Sequence, residues 1–322
     1  MIAAVDTTAL VQTRAGTARH VRGLVGALAG RDGLEVRELS FAGEGRAATL
    51  ARDTWWYLAG LPRRSRGADV LHCPTFRGPL RSRAPVVVTI HDLAFLRHPE
   101  AFPAWHRLSG RALVGRVARA AAAVVAVSEF AKRETVELLG VSPERIRVVP
   151  NGVEPVFRPD GPAAEGDYVL AVGTLEPRKN LPRVQEAARL AGAELRVAGA
   201  EGWGGVDAAG RVGFVDDERL AELYRGARCL VYPSLHEGFG IPVLEAMACG
   251  TAVVTSRGGA LEETAGAAAV LVDPLDAESI AAGIGEAEQR REELRTAGLA
   301  RAADFTWARA ADKVEALWRE LA

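Results

Sequence analysis

Short runs that are apolar at nearly every position recur along this chain, with longer helix-like stretches between them. VVVTI (Val86–Ile90) and VLAV (Val169–Val172) are examples. A strand with one wet face alternates apolar and polar residues. A strand apolar throughout needs cover on both faces, as in a parallel sheet between helix layers. In the first half strand-like runs fall at Ile2–Val5, Glu35–Leu39, Asp69–His72, Val86–Ile90, Val124–Val127 and Ile146–Val149. Helical stretches such as Thr17–Ala29 and Ala131–Leu139 separate them. The second half repeats the scheme at Tyr168–Val172, Glu194–Ala198, Leu230–Tyr232, Ala252–Thr255 and Ala269–Val272. The pattern predicts an α/β chain of two doubly wound, Rossmann-like domains.

Length agrees, since 322 residues make two domains at about 150 each. The boundary is expected near Asn151–Gly166, which holds three prolines and three glycines and has no period. Charge divides at the same place. Residues 1–157 carry a net +8 and residues 158–322 a net −9, which suggests two units with different partners. In the tail, Ala310, Val314, Leu317 and Leu321 share one face of a helix over Ala308–Leu321.

Several classes are disfavoured. A net charge of −1 does not suit a polycation built for nucleic acid. No apolar run reaches the roughly 18 residues of a membrane span, and MIAAVDTTAL lacks the pattern of a signal peptide. Cys73, Cys229 and Cys249 form no CxxC pair, which points to a reducing, cytoplasmic setting and away from zinc. No GxGxxG follows the first strand, and GxxxxGK[ST], GxSxG and DxD are absent. Nicotinamide, P-loop, hydrolase and metal–nucleotide sites thus lack their fingerprints.

Ligands of doubly wound sheets bind beyond the carboxyl ends of strands, where strand order reverses. With two such domains the expected place is the cleft between them. Three segments qualify. In YPSLHEGFGIPVLEAMACG (Tyr232–Gly250) a strand ends, a glycine-bearing loop follows and a helix opens with Pro242 in its first turn. Its N–H groups suit an anion, and Glu237 and Glu245 suit sugar or ribose diols. In GTLEPRKNL (Gly173–Leu181), Arg178 and Lys179 stand where they could neutralise a diphosphate. In VVVTIHD, His91 and Asp92 close a strand; a histidine there contacts a sugar hydroxyl or simply packs against a carbonyl. Gly16 and Thr17 open the first long helix, in QTRAGTARHV.

Together with SEFAK (Ser128–Lys132), NGV (Asn151–Val153), VGFVDDERLAEL (Val212–Leu223) and Leu261–Glu263, these segments resemble the retaining glycosyltransferases of family four, of GT-B fold. The resemblance implies an acceptor domain at 1–157, a nucleotide-sugar domain at 158–307 and a last helix, 308–322, that crosses back to the first domain. It implies that Glu237 bonds hydroxyls of the transferred sugar and that Gly238, Phe239, Gly240 and Ile241 bring backbone N–H groups to the sugar and distal phosphate. Glu245 would bind the ribose diol, Arg178 and Lys179 the leaving diphosphate, and His91 the sugar from the opposite side. Gly16 would border the diphosphate. Many members carry arginine where this chain has Thr174, a departure at the donor phosphates.

The implied activity is hexosyl transfer from a GDP- or UDP-linked donor, mannosyl in type from the GTLEPRKN form, to a saccharide or lipid-linked acceptor. No cofactor or metal is expected, Arg178 and Lys179 standing in a metal's place. The alternatives are a nucleotide-sugar epimerase of GT-B fold and a catalytically silent binding module. Arg63, Arg64 and Arg66 after the aromatic run Trp55–Tyr57 suggest peripheral contact with the inner membrane face. The plainer expectation is that Trp55 and Leu58 pack one face of a helix.

Overall fold

The computed structural model describes residues 1–12, 16–43, 45–102 and 113–322. Part of the helix-opening segment QTRAGTARHV, Thr13 to Ala15, lies outside the described residues. The chain forms two compact units. The first takes in Met1–Pro99, the described part of 103–152, and Thr306–Ala322; the second takes in Val153–Phe305 with Glu100–Phe102.

Each unit holds a parallel sheet of six strands. In the first the strands are β1 (Ile2–Asp6), β2 (Glu35–Leu39), β3 (Val70–Cys73), β4 (Val86–Ile90), β5 (Ala123–Ala126) and β6 (Ile146–Val148), in the order β2-β1-β3-β4-β5-β6. In the second they are β7 (Tyr168–Val172), β8 (Glu194–Ala198), β9 (Arg211–Gly213), β10 (Leu230–Tyr232), β11 (Val253–Ser256) and β12 (Val270–Val272), in the order β12-β11-β10-β7-β8-β9. Both sheets therefore reverse their winding once, between β1 and β3 and between β7 and β10. These are the positions where α/β sheets open a crevice for ligands.

The apolar runs are covered on both faces. In β7, Val169 and Ala171 point into a core shared with Val184, Ala187, Ile280 and Ile284. Their neighbour Tyr168 faces the other way, where its hydroxyl donates to Leu223 O at 2.8 Å in the helix Asp217–Gly226. The edge strand β9 has no such run, since Arg211 and Val212 are exposed, and the apolar pattern did not show it.

The C-terminal helix Trp307–Leu321 belongs to the core of the first unit. Trp307, Ala310, Ala311, Val314, Leu317 and Trp318 are buried there with Val21, Leu24 and Leu28 of the helix Gly16–Leu28. Gly23 makes this approach possible, because a Cβ at that position would lie 2.1 Å from Trp307 Cε2.

One packing expectation is corrected. Arg52–Gly60 winds as a π-helix, whose wider turn presents Arg52, Trp56, Tyr57 and Gly60 to the interior. Trp55 and Leu58, expected to pack, are 52% and 67% exposed.

Candidate functional site

The winding reversal of the second sheet brings two of the three motif segments together. GTLEPRKN leaves β7 and PSLHEGFG leaves β10, which are neighbours in the sheet. Leu235 N donates to Arg178 O at 2.9 Å. Asn180 adopts a left-handed conformation at φ 62°, uncommon outside glycine. Its side-chain Nδ2 donates to Pro233 O at 3.1 Å and Pro274 O at 2.6 Å. Those bonds hold the strained residue and tie the two loops.

Glu237 is the centre of a charged cluster. Its Oε2 accepts from Arg178 Nη1 at 2.7 Å. Its Oε1 accepts from Lys179 Nζ at 2.6 Å and from the Tyr232 hydroxyl at 2.9 Å. Lys179 Nζ also donates to Tyr232 Oη at 2.5 Å and stands 4.9 Å from the centre of that ring. Arg178 is held further by Glu176 Oε1 at 2.6 Å and His236 O at 2.8 Å. Burial favours the neutral form of Glu237, but the charges of Arg178 and Lys179 outweigh it and hold the carboxyl well below its usual range. In Glu176 burial prevails over Arg178 and raises the carboxyl. Burial, with the Glu237 charge added, raises the Tyr232 phenol well above its ordinary value. With both carboxyls ionised the four formal charges cancel. A diphosphate reaching Arg178 and Lys179 must draw them away from carboxylates.

Glu176, Asn180 and Tyr232 were not singled out in the sequence as site residues. Tyr232 looked only like a strand end, and no pattern marks a tyrosine whose hydroxyl meets a loop acid five positions on.

The remaining donor-side residues surround this cluster. Gly240 precedes the helix Ile241–Ala248 in a left-handed conformation at φ 98°, with Pro242 in the first turn. A Cβ on Gly240 would lie 2.5 Å from Leu261 Cδ2. Gly238 and Phe239 are buried, and Phe239 O accepts from Thr264 Oγ1 at 2.6 Å. Thr174 is half-buried beside Gly202. Glu245 is 1% exposed, and its Oε2 accepts from the Tyr224 hydroxyl at 3.0 Å.

His91 and Gly16 belong to the first unit. His91 is half-buried, and its Nε2 donates to Pro74 O at 3.0 Å, the carbonyl contact weighed in the sequence. Its ring meets His20 edge to face, centroids 4.6 Å apart. Burial lowers its pKa, with the Pro74 carbonyl and Asp92 opposing. Gly16, exposed, opens the helix Gly16–Leu28, and the next residue, Thr17, lines one pocket with His91 and Asp92. Among the described residues no three His, Cys, Asp or Glu side chains converge as metal ligands. No described helix is long and apolar enough to cross a membrane.

Known proteins are similar to this chain along both units. The model for glycosyl transferases group 1 matches residues 154–301, and that for glycosyltransferase family 4 matches residues 14–157. The chain is 33% identical over 270 residues to the O-antigen chain mannosyltransferase B of Escherichia coli, covering 74% of this chain and 71% of that one. It is 30% identical over 339 aligned residues to a D-inositol 3-phosphate glycosyltransferase of Acidothermus cellulolyticus, covering 90% and 73%. Among solved structures, sucrose-phosphate synthase from Thermosynechococcus elongatus superposes with a TM-score of 0.82 at 21% identity, covering 100% and 99%. Anabaena HepE in complex with UDP and glucose gives 0.78 at 17%, covering 99% of each chain. These superpositions show the GT-B fold.

Proposed function

The chain belongs to the group 1, family 4 glycosyltransferases, and on that footing we propose that it moves a hexose, mannosyl in type, from a nucleoside diphosphate sugar to an acceptor hydroxyl with retention at the anomeric carbon. The observation that carries this is the Glu237–Arg178–Lys179 cluster at the reversal of the second sheet. It offers an anionic acceptor for sugar hydroxyls beside two cations for a diphosphate, as the donor's two ends require. The E. coli O-antigen relative is a mannosyltransferase, which supports the mannosyl reading. The HepE complexes hold UDP or UDP-glucose, which supports a nucleotide-linked donor.

The roles follow from the charges. As donor enters, its sugar hydroxyls donate to Glu237 and its diphosphate oxygens accept from Arg178 and Lys179, so each partner of the resident ion pairs keeps a counterpart. The bond from the anomeric carbon to the diphosphate oxygen then breaks. The acceptor oxygen bonds to the same face of that carbon, and the acceptor's proton passes to the leaving phosphate. Negative charge grows on the diphosphate, where preorganised cations stabilise the transition state most. Glu245, with its N–H-rich helix start at Ile241, takes the ribose. The two cations make a metal unnecessary.

The three buried thiols remain unpaired, which supports action in the cytoplasm. Exposed Trp55 and Leu58, near Arg63 and Arg64 in sequence, support peripheral contact with an anionic membrane. The test is incubation with GDP- and UDP-linked hexoses and saccharide or lipid-linked acceptors, in EDTA, with the product's anomeric signal followed by NMR. A product of the donor's anomeric configuration is expected. An inverted product, or strict dependence on added Mg²⁺ or Mn²⁺, contradicts the proposal.

A further inference from the structure

The first sheet has its own winding reversal, between β1 and β3, and a pocket lies there. Its walls include Thr17, Tyr57, Phe76, Arg77, His91 and Asp92. Phe76 and Arg77 come from the segment after β3, and His91 and Asp92 follow β4 directly. The pocket thus occupies the crevice position of a doubly wound sheet, and all these residues belong to one unit.

Arg77 is the unusual member. Its side chain is only 27% exposed, and Nη1 stands 3.3 Å from Asp53 Oδ1. That same oxygen already accepts from Arg52 Nε at 2.7 Å. Two guanidinium groups share one carboxylate. A guanidinium carries five N–H donors, yet in the described structure that of Arg77 donates no hydrogen bond; only its backbone N–H does, to Thr75 Oγ1 at 3.1 Å. Burial lowers its pKa against the opposing charge of Asp53. Its Cζ stands 5.8 Å from the centre of the Phe76 ring, and its planar fork of donors fits an oxyanion with two parallel bonds. Besides Asp53, two acids stand nearby, each with a bond of its own: Asp92 Oδ1 accepts from Ala94 N at 3.1 Å, and Asp6 accepts from the Thr8 hydroxyl at 2.5 Å.

We propose that this pocket holds the phosphate of a phosphorylated acceptor, gripped by the Arg77 guanidinium, with hydroxyls of the same molecule meeting Thr17, His91 and Asp92. This rests on the glycosyl-transfer reading and names its acceptor class. With Nε2 of His91 committed to Pro74 O, Nδ1 of the neutral ring is an acceptor for a hydroxyl. The phosphate belongs either to a free sugar phosphate or to a sugar linked through phosphate to a lipid.

The experiment is calorimetric titration of the full chain with a nucleoside diphosphate present in excess to fill the second unit. The probes are a hexose 6-phosphate, the unphosphorylated hexose, and vesicles bearing a polyprenyl diphosphate sugar. A phosphorylated probe is expected to bind, the bare hexose to bind at least tenfold more weakly, and Arg77→Gln to weaken the phosphorylated probe about 10- to 100-fold. Arg77→Lys keeps the charge opposite Asp53 but loses the fork, and an intermediate loss is expected; it also serves if the glutamine variant does not fold. Binding of the hexose phosphate identifies a free acceptor, and binding of the vesicles alone identifies a lipid-linked one. Failure of every phosphorylated probe, or affinity unchanged in both Arg77 variants, overturns the proposal. Nucleoside diphosphate binding is measured separately. If it fails while the Arg77 effect stands, the donor reading falls and the pocket survives; the reverse outcome removes only the pocket.

Discussion

Replacing Glu237 with glutamine keeps the side chain's shape and removes its charge, and the structure gives that change two opposite consequences. The carboxylate sits between Arg178 and Lys179 at 2.7 and 2.6 Å in a group of four formal charges that cancel. Glu237→Gln leaves that group at +1. Sugar hydroxyls lose charge-assisted hydrogen bonds of about 1.5–3 kcal/mol, so kcat at saturating donor should fall about 10- to 150-fold. A diphosphate gains instead, because Arg178 and Lys179 no longer need to be drawn from the carboxylate. One unit charge removed at about 6 Å is worth roughly 0.7 kcal/mol with waterlike screening and about 2.8 kcal/mol at an effective dielectric of 20. Affinity for the bare nucleoside diphosphate should therefore rise about 3- to 100-fold. The assay pairs steady-state transfer kinetics with calorimetry of the nucleoside diphosphate. If turnover and diphosphate affinity fall together, Glu237 supports the loop and does not divide its work between sugar and cations.

Three further outcomes are expected. Lys179→Ala should lower kcat at saturating donor by about 10²–10³, with a smaller loss of diphosphate affinity because Arg178 remains; unchanged kcat would leave Lys179 a binding residue. Acid should destabilise the first unit, where burial first of all lowers the pKa of His20, His91 and His72, the last to about 3. Their folded values lie below the unfolded 6.5, so the unfolded chain binds more protons and stability falls as pH drops through 6.5. His72 alone should cost about 2 kcal/mol between pH 7 and pH 5, and a melting temperature constant over that interval contradicts the burial of neutral rings. Gly23→Ala should destabilise by about 1–3 kcal/mol, since the new Cβ meets the Trp307 indole at 2.1 Å; an unchanged denaturant midpoint argues against that packing.

Much of the fold was legible because two-sided burial leaves a trace that one residue cannot blur. Val86–Ile90, Tyr168–Val172 and Leu230–Tyr232, buried almost throughout, are strands with the bounds their patterns imply. The exposed edge strand β9 leaves no such trace. The π-helical winding of Arg52–Gly60 is invisible to a 3.6-residue period, so Trp55 and Leu58 were turned the wrong way. In the site, Arg178, Lys179 and Glu237 stand out in sequence, but their pairing depends on which strands are neighbours, which no local pattern encodes. Tyr232 and Asn180 act through contacts with residues of other segments, Glu176 through Arg178 of its own loop, and Arg77 stands out only through the hydrogen bonds its guanidinium does not make.

The central claim is that the loops after β7 and β10 receive the diphosphate of the donor. A crystal structure with a nucleoside diphosphate tests it most directly. Diphosphate oxygens are expected within hydrogen-bond distance of Lys179 Nζ and the Arg178 guanidinium, with the Glu237 carboxylate released from at least one of them. A nucleotide resting mainly on residues of the first unit, with the Glu237 ion pairs intact, would contradict the account.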